Sequence, residues 1–426
     1  MHEFLCLAII LECLIFNFLN SILYGKRLNI TKAQNYVWMF TFLIYLANIF
    51  QYYEMRVEVY IYSLTYLLMF NIAYLVFHKK SVLDDRILAL KLVASIDDVK
   101  KNISILKILS IICWLVTIPL LIKSIPILMN SGMSTLRHIV YSENSIYTTF
   151  DMMLIQYLAR PLYSITIILS ATMLAVKKYD KPLFIITLIN AIMYSLLTSG
   201  RALFMQMVLF VGLSVWFFHG NNISKLFKTY RKIIIPITII LVGILWVSSL
   251  RVNRSYGVIG EFFIYMTGSI PYLSLLIESG KVEFYSLFGK AYFGFVLDSI
   301  RLILRFIGFN VVLSSQTVSE LTLDSLYVSP TIAINAIAST LLDFLLEAGF
   351  IGVILGGIIS GIIAVSAENY YYKRMTIFSF ILFLFIMQIM FFSIQLYGLG
   401  KVNTFISLLL MIVFIYKPQK KNKMTP

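Results

Sequence analysis

Charged side chains are scarce in this sequence, and acidic ones are the scarcest. Asp, Glu, Lys and Arg together make up 13% of its 426 residues, and only 20 residues are acidic, whereas about a quarter of a typical soluble domain is charged. Hydrophobic residues make up 60%, which is more than a packed core can absorb. Lipid must therefore be the solvent for much of the surface. The sequence predicts an all-α polytopic membrane protein with no sizeable soluble domain.

Recognisable cofactor motifs are also missing. There is no Walker motif, dinucleotide fingerprint or EF-hand loop, and no Ser/His/Asp pattern. The histidines do not cluster, and the cysteines lie inside apolar runs without metal-ligand spacing: His2, His78, His138 and His219; Cys6, Cys13 and Cys113. We therefore expect no metal and no cofactor. Any reaction would have to use a substrate that is already activated.

Eleven apolar runs have about the 20 residues that a membrane helix needs. They make the whole chain, residues 1–426, a single integral membrane domain. The runs are Phe4–Leu23, Tyr36–Tyr53, Val57–Phe77, Ile103–Ile125, Met152–Val176, Pro182–Leu197, Ala202–Phe218, Ile233–Leu250, Gly349–Ala367, Thr376–Tyr397 and Val402–Tyr416.

The longest interruption of this pattern is the stretch Arg251–Pro330. It contains two apolar patches, Val258–Ile277 and Phe293–Phe309, which are broken by glycine, proline or charged residues. These patches could cross the membrane, which would raise the helix count to 13, enter it part of the way, or lie on its surface. We favour a partly helical cap on the outer side of the membrane.

The net charge of +15 is explained by the segments between the apolar runs, and no nucleic-acid partner is expected. If the helices alternate in direction, nineteen of the 23 lysines fall on one side of the membrane. The positive-inside rule makes that side the cytoplasm. The N-terminus then lies outside and the C-terminus lies in the cytoplasm.

The arginines do not follow the lysines. Only four of the 12 arginines share the lysine side, and eight lie on the other: Arg56, Arg137, Arg160, Arg201, Arg251, Arg254, Arg301 and Arg305. A guanidinium group pairs bidentately with phosphate or carboxylate, so the group predicts an outer site for an anion such as a lipid phosphate or pyrophosphate. Taken singly, each arginine could equally anchor at the interface or pair with Glu261, Asp298, Asp343 or Glu347.

The segment Thr198–Arg201 predicts a tight turn between two membrane helices. Gly200 permits a close backbone approach, and Arg201 opens the second helix, where free backbone N–H groups favour an anion. An ordinary helical-hairpin turn is the alternative interpretation.

Four polar residues recur at intervals of four: Asn335, Ser339, Asp343 and Glu347. At this spacing they would share one face of a helix, where a carboxylate could orient an arginine or act as a general base. They could also be merely solvated. The glycines that follow predict close helix packing: Gly356, Gly357 and Gly361. Another candidate base, His138, lies in the outer segment Pro126–Asp151, whose amphipathic pattern is typical of an interfacial helix.

Together these features resemble the O-antigen and capsular oligosaccharide repeat-unit polymerases. The matching segments are Thr198–Arg201, Tyr265–Ser269, Arg251–Pro330, Asn335–Thr340 and Glu347–Gly352, although Asp-Phe-Gly is more usual than Glu347-Ala348-Gly349. The resemblance implies a nucleotide- and metal-independent glycosyltransferase with the fold of the outer-face lipid-linked transferases. It would act in the bacterial cytoplasmic (inner) membrane, join polyprenyl-pyrophosphate-linked repeat units into O-antigen or capsule, and release polyprenyl pyrophosphate.

Within that interpretation the predicted residues take two roles. The pyrophosphate would be met by Arg160, Arg201, Arg251, Arg254, Arg301 and Arg305, because preorganised guanidinium groups stabilise a leaving group's developing charge. The candidate bases for the acceptor hydroxyl are Asp343, Glu347 and His138. A flippase and a chain-length regulator would be partners. Two alternatives stay open, a glycan-lipid flippase or exporter and a ligase that transfers lipid-linked glycan to another acceptor.

Overall fold

A computed structural model describes residues 1–25, 28–79, 85–141, 145–219, 238, 242, 257–284, 287, 290–335 and 337–417. These residues are almost entirely helical. The helices are α1 (His2–Tyr24), α2 (Ile30–Leu46), α3 (Val57–Phe77), α4 (Asp85–Asp98), α5 (Lys100–Tyr141), α6 (Thr149–Met153), α7 (Arg160–Ala175), α8 (Lys181–Thr198), α9 (Ala202–His219), α10 (Gly257–Thr267), α11 (Ser269–Glu278), α12 (Gly294–Phe306), α13 (Ser314–Leu321), α14 (Thr340–Arg374), α15 (Ile377–Phe391) and α16 (Val402–Phe414). A π-helical turn (Leu154–Ala159) joins α6 to α7, 3-10 turns lie at Phe392–Ile394 and Gly398–Gly400, and strands β1 (Leu326–Tyr327) and β2 (Ala333–Ile334) pair antiparallel.

Within the described ranges, seven helical segments are long and apolar enough to cross a membrane. They are α1, α3, Lys100–Met133 of α5, Thr149–Ala175, α8, α14 and Ile377–Ile394. The chain is therefore an all-α membrane protein, because a helix satisfies its own backbone N–H and C=O groups where lipid offers no partner. Three other predicted spans also form helices but are not among these seven. They are α2 with 17 residues, α9 with 18 and α16 with 13. The predicted span at 233–250 lies outside the described residues.

Among the described elements, the most extensive packing interface joins α3 to residues 350–374 of α14, and the two run parallel. Near the N-terminal end of α3, the ring of Tyr62 lies 6.0 Å from that of Phe350 in α14. At their other ends Tyr74 donates a 2.5 Å hydrogen bond to the carboxylate of Glu368. The direction of each neighbouring helix follows from which end of this parallel pair it contacts.

Lysines gather at the end of the bundle where α3 and α14 finish and α8 begins. Here Lys107 forms a 3.0 Å salt bridge with Asp180, and Lys178 lies 3.6 Å from Asp97. Other lysines of the described part at this end are Lys79, Lys100, Lys101, Lys181 and Lys373. We call it the lysine end.

The opposite end is the one at which α3, α7, α9 and the second part of α14, residues 350–374, begin. Arg56 directly precedes α3, Arg160 begins α7, and Arg201 directly precedes α9. Arg160 and Arg201 lie at the same level on neighbouring helices, because Ser164, one turn into α7, donates a 3.2 Å hydrogen bond to Gln206 of α9. We call it the arginine end.

Helices α10 and α11 lie across the arginine end. Glu261 of α10 pairs with Arg201 at 2.9 Å, and Ser274 of α11 accepts a 2.8 Å hydrogen bond from the backbone N–H of Arg56. Both ends of this helix pair thus contact the same end of the bundle. The 13-residue α12 is about 20 Å long, which is shorter than the roughly 30 Å hydrocarbon core of a bilayer.

Glycine allows α14 to approach α3 closely. A Cβ atom on Gly357 would lie 2.7 Å from the carbonyl oxygen of Tyr66, and one on Gly361 would lie 2.5 Å from that of Phe70. Both distances are shorter than van der Waals contact, so the helices meet backbone to backbone, as small residues permit in membrane helix pairs. The predicted packing role of these glycines is confirmed.

We expect Gly361→Ala to destabilise the protein by about 1–3 kcal/mol, because the new methyl group would push the packed backbones of α3 and α14 apart. The matched control is Gly212→Ala on α9, where a Cβ atom would meet no atom within 4 Å. The melting temperature of each variant in detergent checks the prediction. Equal losses for both variants would contradict it.

Candidate functional site

A sharp bend interrupts α14 just after Glu347. Ala348 has φ −155° and ψ 32°, and Gly349 has φ +58° and ψ −138°, a left-handed φ that favours glycine. A Cβ atom on Gly352 would overlap the carbonyl oxygen of Phe344. The Glu347–Gly352 motif therefore builds a fixed bend at the arginine end, two turns into α14.

The carboxylate of Glu347 is buried inside this bend, with 1% of the residue exposed. Its Oε2 atom accepts hydrogen bonds from the backbone N–H groups of Lys290 (3.1 Å) and Ala291 (2.8 Å). Within the described structure its Oε1 atom has no hydrogen-bond partner. Glu347 thus fixes the segment that precedes α12 against α14.

Asp343 lies one turn before Glu347 and is half-buried. Its Oδ1 atom faces Gly400, where a Cβ atom would lie 3.6 Å from it. One cation adjoins this carboxylate, Lys401 directly before α16, and Arg160 at the start of α7 lies near Lys401 in turn. Burial and the charge of Arg160 lower the pKa of Lys401 to about 8, whereas the charge of Asp343 opposes that shift. We call Arg160, Asp343 and Lys401 the Arg160–Lys401 site.

The Arg160–Lys401 site holds more positive than negative charge. In the part of the chain that the structure describes, neither cation forms a salt bridge, and Arg160 donates one 3.2 Å hydrogen bond to the neutral side chain of Gln156. Two cations held close together repel each other unless an anion is present. The arrangement therefore favours binding of an anionic group beside Asp343.

Arg301 has a different environment, since it is paired with a buried carboxylate. Asp298 is fully buried and accepts hydrogen bonds from the N–H and hydroxyl groups of Ser314 and Ser315, all at 3.0–3.1 Å. Arg301 donates to Asp298 (3.1 Å) and Ser314 (3.0 Å). Asp298 and Arg301 therefore anchor the first turn of α13 to α12. Arg305, one turn further along α12, is exposed and makes only a long 3.4 Å hydrogen bond to Gln316.

Arg201 is also paired. The predicted turn is present, with Ser199 in a left-handed conformation (φ 49°) and the N–H of Gly200 donating to the hydroxyl of Thr198 at 3.2 Å. Arg201 then forms its 2.9 Å salt bridge with Glu261, which is 4% exposed. Its guanidinium carbon lies 5.7 Å from the ring centre of Tyr265, a cation–π distance.

The structure thus separates the predicted residues into groups. Arg160 and Asp343 both lie near Lys401, Arg201 and Arg301 are neutralised by carboxylates, and Arg305 is exposed. Three predicted residues lie outside the description: Arg251, Arg254 and the side chain of His138. Sequence reasoning missed Lys401 as part of the site, although it is one of four lysines that depart from the lysine side.

The prediction that four polar residues share one helix face is wrong for two of them. Helix α14 begins at Thr340, because Ser339 caps it by accepting a hydrogen bond from Leu341 N–H. Asn335 lies before the helix, directly after β2, and is exposed. Spacing of four residues aligns side chains only within one continuous helix. In the described ranges, no group of three or more His, Cys, Asp or Glu residues could hold a metal ion.

The two carboxylates of α14 should respond differently to substitution. Glu347→Ala removes the acceptor of two amide N–H groups, at about 1–3 kcal/mol for each buried group left unpaired, so we expect a clear loss of thermal stability in detergent. Glu347→Gln keeps an acceptor oxygen and should retain most of the stability. Asp343→Asn should melt close to the wild type. A melting temperature for Glu347→Ala equal to that of the wild type would refute the anchoring role.

Comparison with protein-family models, with curated proteins and with solved structures finds no match to this chain. The functional interpretation therefore depends on the sequence motifs and on the residues of the arginine end.

Proposed function

We propose that this protein polymerises polyprenyl-pyrophosphate-linked oligosaccharide repeat units into O-antigen or capsular polysaccharide. The reaction is glycosyl transfer on the outer face of the bacterial cytoplasmic membrane. It needs neither a nucleotide nor a metal, because the sugar is already activated by its pyrophosphate. The proposal rests on the sequence resemblance described above and on the chemistry of the arginine end.

The observation that carries the proposal is the excess of positive charge in the Arg160–Lys401 site. Negative charge develops on the pyrophosphate as its bond to the anomeric carbon of the sugar breaks. Preorganised cations stabilise that charge. Arg160 provides a planar fork of donors, and Lys401 provides a compact point charge. A carboxylate, Asp343, lies beside Lys401 and would serve as the base for the incoming hydroxyl.

Among the three candidate bases, Asp343 fits best. It is half-buried beside Lys401, whereas one oxygen of Glu347 is occupied by two backbone N–H groups. His138 stays a candidate without support from the described side chains. Arg201 and Arg301 would act by holding the surrounding helices, since each already neutralises a carboxylate. Arg251, Arg254 and Arg305 remain proposed contacts of the pyrophosphate.

The proposed topology has eleven membrane crossings, formed by the seven long helices together with α2, α9, α16 and the segment 233–250. The arginine end faces outward and residues 251–330 form a cap over it, within one integral membrane domain of residues 1–426. The lysine end faces the cytoplasm under the positive-inside rule. A flippase that supplies the lipid-linked repeat and a chain-length regulator are the proposed partners.

A chain-length experiment distinguishes this function from its alternatives. If the gene is deleted from its host, a polymerase defect leaves surface glycan carrying one repeat unit and no longer chains. A defect in a ligase that attaches finished glycan removes all attached glycan, whereas a flippase defect leaves lipid-linked repeats on the cytoplasmic face. Retention of long chains after deletion would reject the proposal.

We expect Arg160→Gln and Lys401→Gln to slow polymer formation by about 10²–10³-fold each, the usual cost of removing one transition-state donor. Asp343→Asn should cost about 10²–10⁴-fold if Asp343 is the base. The measurement is the initial rate in membranes supplied with the lipid-linked repeat unit. Arg56→Gln is the control, because Arg56 lies at the same end in an exposed pair with Glu58, and near-normal rates for all three site variants would reject the site.

The topology can be tested separately. We expect green fluorescent protein fused after Pro426 to fluoresce, because it folds in the cytoplasm, and the same protein fused before Met1 to stay dark after export. A cysteine in place of Ser279, exposed at the end of α11, should react with a membrane-impermeant maleimide in intact spheroplasts. Reaction only after lysis would reverse the proposed orientation.

A further inference from the structure

One face of α12 is an exposed apolar stripe. Phe293, Ile300, Ile303 and Ile307 are 51%, 51%, 59% and 68% exposed. They recur at intervals of seven, three and four residues, so they lie on one side of the helix. A stripe of large apolar side chains open to the surroundings marks a surface that meets a non-aqueous partner.

The other face of α12 is fixed to the protein. Asp298 ties it to the first turn of α13 through Ser314 and Ser315. Leu302 packs in a small apolar cluster with Val402 of α16. The apolar stripe therefore faces away from the protein because the opposite face of α12 is bound to α13 and α16. It is not exposed because the helix is loosely attached.

Helix α12 crosses the beginning of α16. Near its start, Phe295 lies 6.4 Å from Phe405, and seven residues later Leu302 shares its cluster with Val402, against which Ile406 packs. A helix lying alongside α16 would have advanced by about 10 Å along it over seven residues. The contacts instead stay within the first turn of α16, so α12 lies across the bundle at its arginine end.

The surroundings of the stripe identify bilayer lipid as its partner. The stripe adjoins α16, whose own outward side chains, Leu409, Ile412 and Val413, are exposed apolar residues of a proposed span. Arg305 is exposed in the last turn of α12. Arg305 lies on the same face as Asp298, opposite the stripe, and an amphipathic helix with an apolar face and a basic residue on its polar face suits the boundary between lipid headgroups and acyl chains.

We propose that α12 lies in the membrane interface at the arginine end, with its isoleucine face in the lipid and Arg305 at the level of the headgroup phosphates. Such a helix enters about 5–10 Å into the boundary region. Because Leu302 packs with Val402, the residue after Lys401, this depth brings the Arg160–Lys401 site to the headgroup layer. The inference concerns position in the membrane and does not depend on the proposed reaction.

Site-directed fluorescence tests the depth of the helix. Ile303→Cys is labelled with a nitrobenzoxadiazole maleimide after reconstitution into phosphatidylcholine vesicles; the three native cysteines are buried and should not react. Lipids carrying a nitroxide at the headgroup or near the end of the acyl chain serve as quenchers, with iodide as the aqueous quencher. Ile412→Cys provides the deep lipid control, and Glu320→Cys on α13 provides the aqueous control.

We expect the Ile303 probe to be quenched more by the headgroup nitroxide than by the deep one, and much less by iodide than the Glu320 probe. Quenching by iodide as strong as at Glu320 would overturn the proposal. Protection from all three quenchers, or cross-linking of two copies through Ile303→Cys, would also overturn it, because a protein would then cover the stripe. A second label at Ile300→Cys guards against a local effect of one substitution.

Discussion

The arginine end depends on the bend in α14. The carboxylate of Glu347 accepts two backbone hydrogen bonds from the segment that leads into α12, and the left-handed Gly349 turns the helix immediately afterwards. Tyr292 in that segment donates to the carbonyl of Gly352 (2.8 Å), and Tyr397 donates to the carbonyl of Tyr292 (3.0 Å). These bonds connect both halves of α14, the start of α12 and the approach to α16 at one point.

Ion pairs explain how charged side chains can lie at the end of a membrane bundle. Buried charges are tolerated when they are paired, and the arginine end meets this requirement for Arg201 with Glu261 and for Arg301 with Asp298. Among the described residues, Arg160 and Lys401 form no salt bridge and share one neighbouring carboxylate, Asp343, which leaves the Arg160–Lys401 site with an excess of positive charge. Arg201 and Arg301, each paired with a carboxylate, therefore hold the surrounding helices in place. The Arg160–Lys401 site keeps its excess positive charge and can attract an anion.

Several elements could be predicted from the sequence because they depend only on neighbours in the chain. Seven apolar runs become helices of membrane length, and the turn at Thr198–Arg201 and the packing glycines of α14 have the expected forms. The prediction that Asn335, Ser339, Asp343 and Glu347 share one helix face is correct only for Asp343 and Glu347. A spacing of four residues assumes an unbroken helix, whereas the cap at Ser339 starts α14 after Asn335.

By itself, the sequence determined the class of the protein and the separation of its cations, because hydropathy and charge act on each segment independently of its neighbours. Only the tertiary structure decided which cations are paired and which are not. Arg160, Asp343 and Lys401 are far apart in the chain, and Lys401 lies near both others because the start of α16 packs beside α7 and beside the first turn of α14. Electrostatic interaction depends on distance in space, so a charge that looks ordinary in the sequence, such as that of Lys401, gains its role from packing.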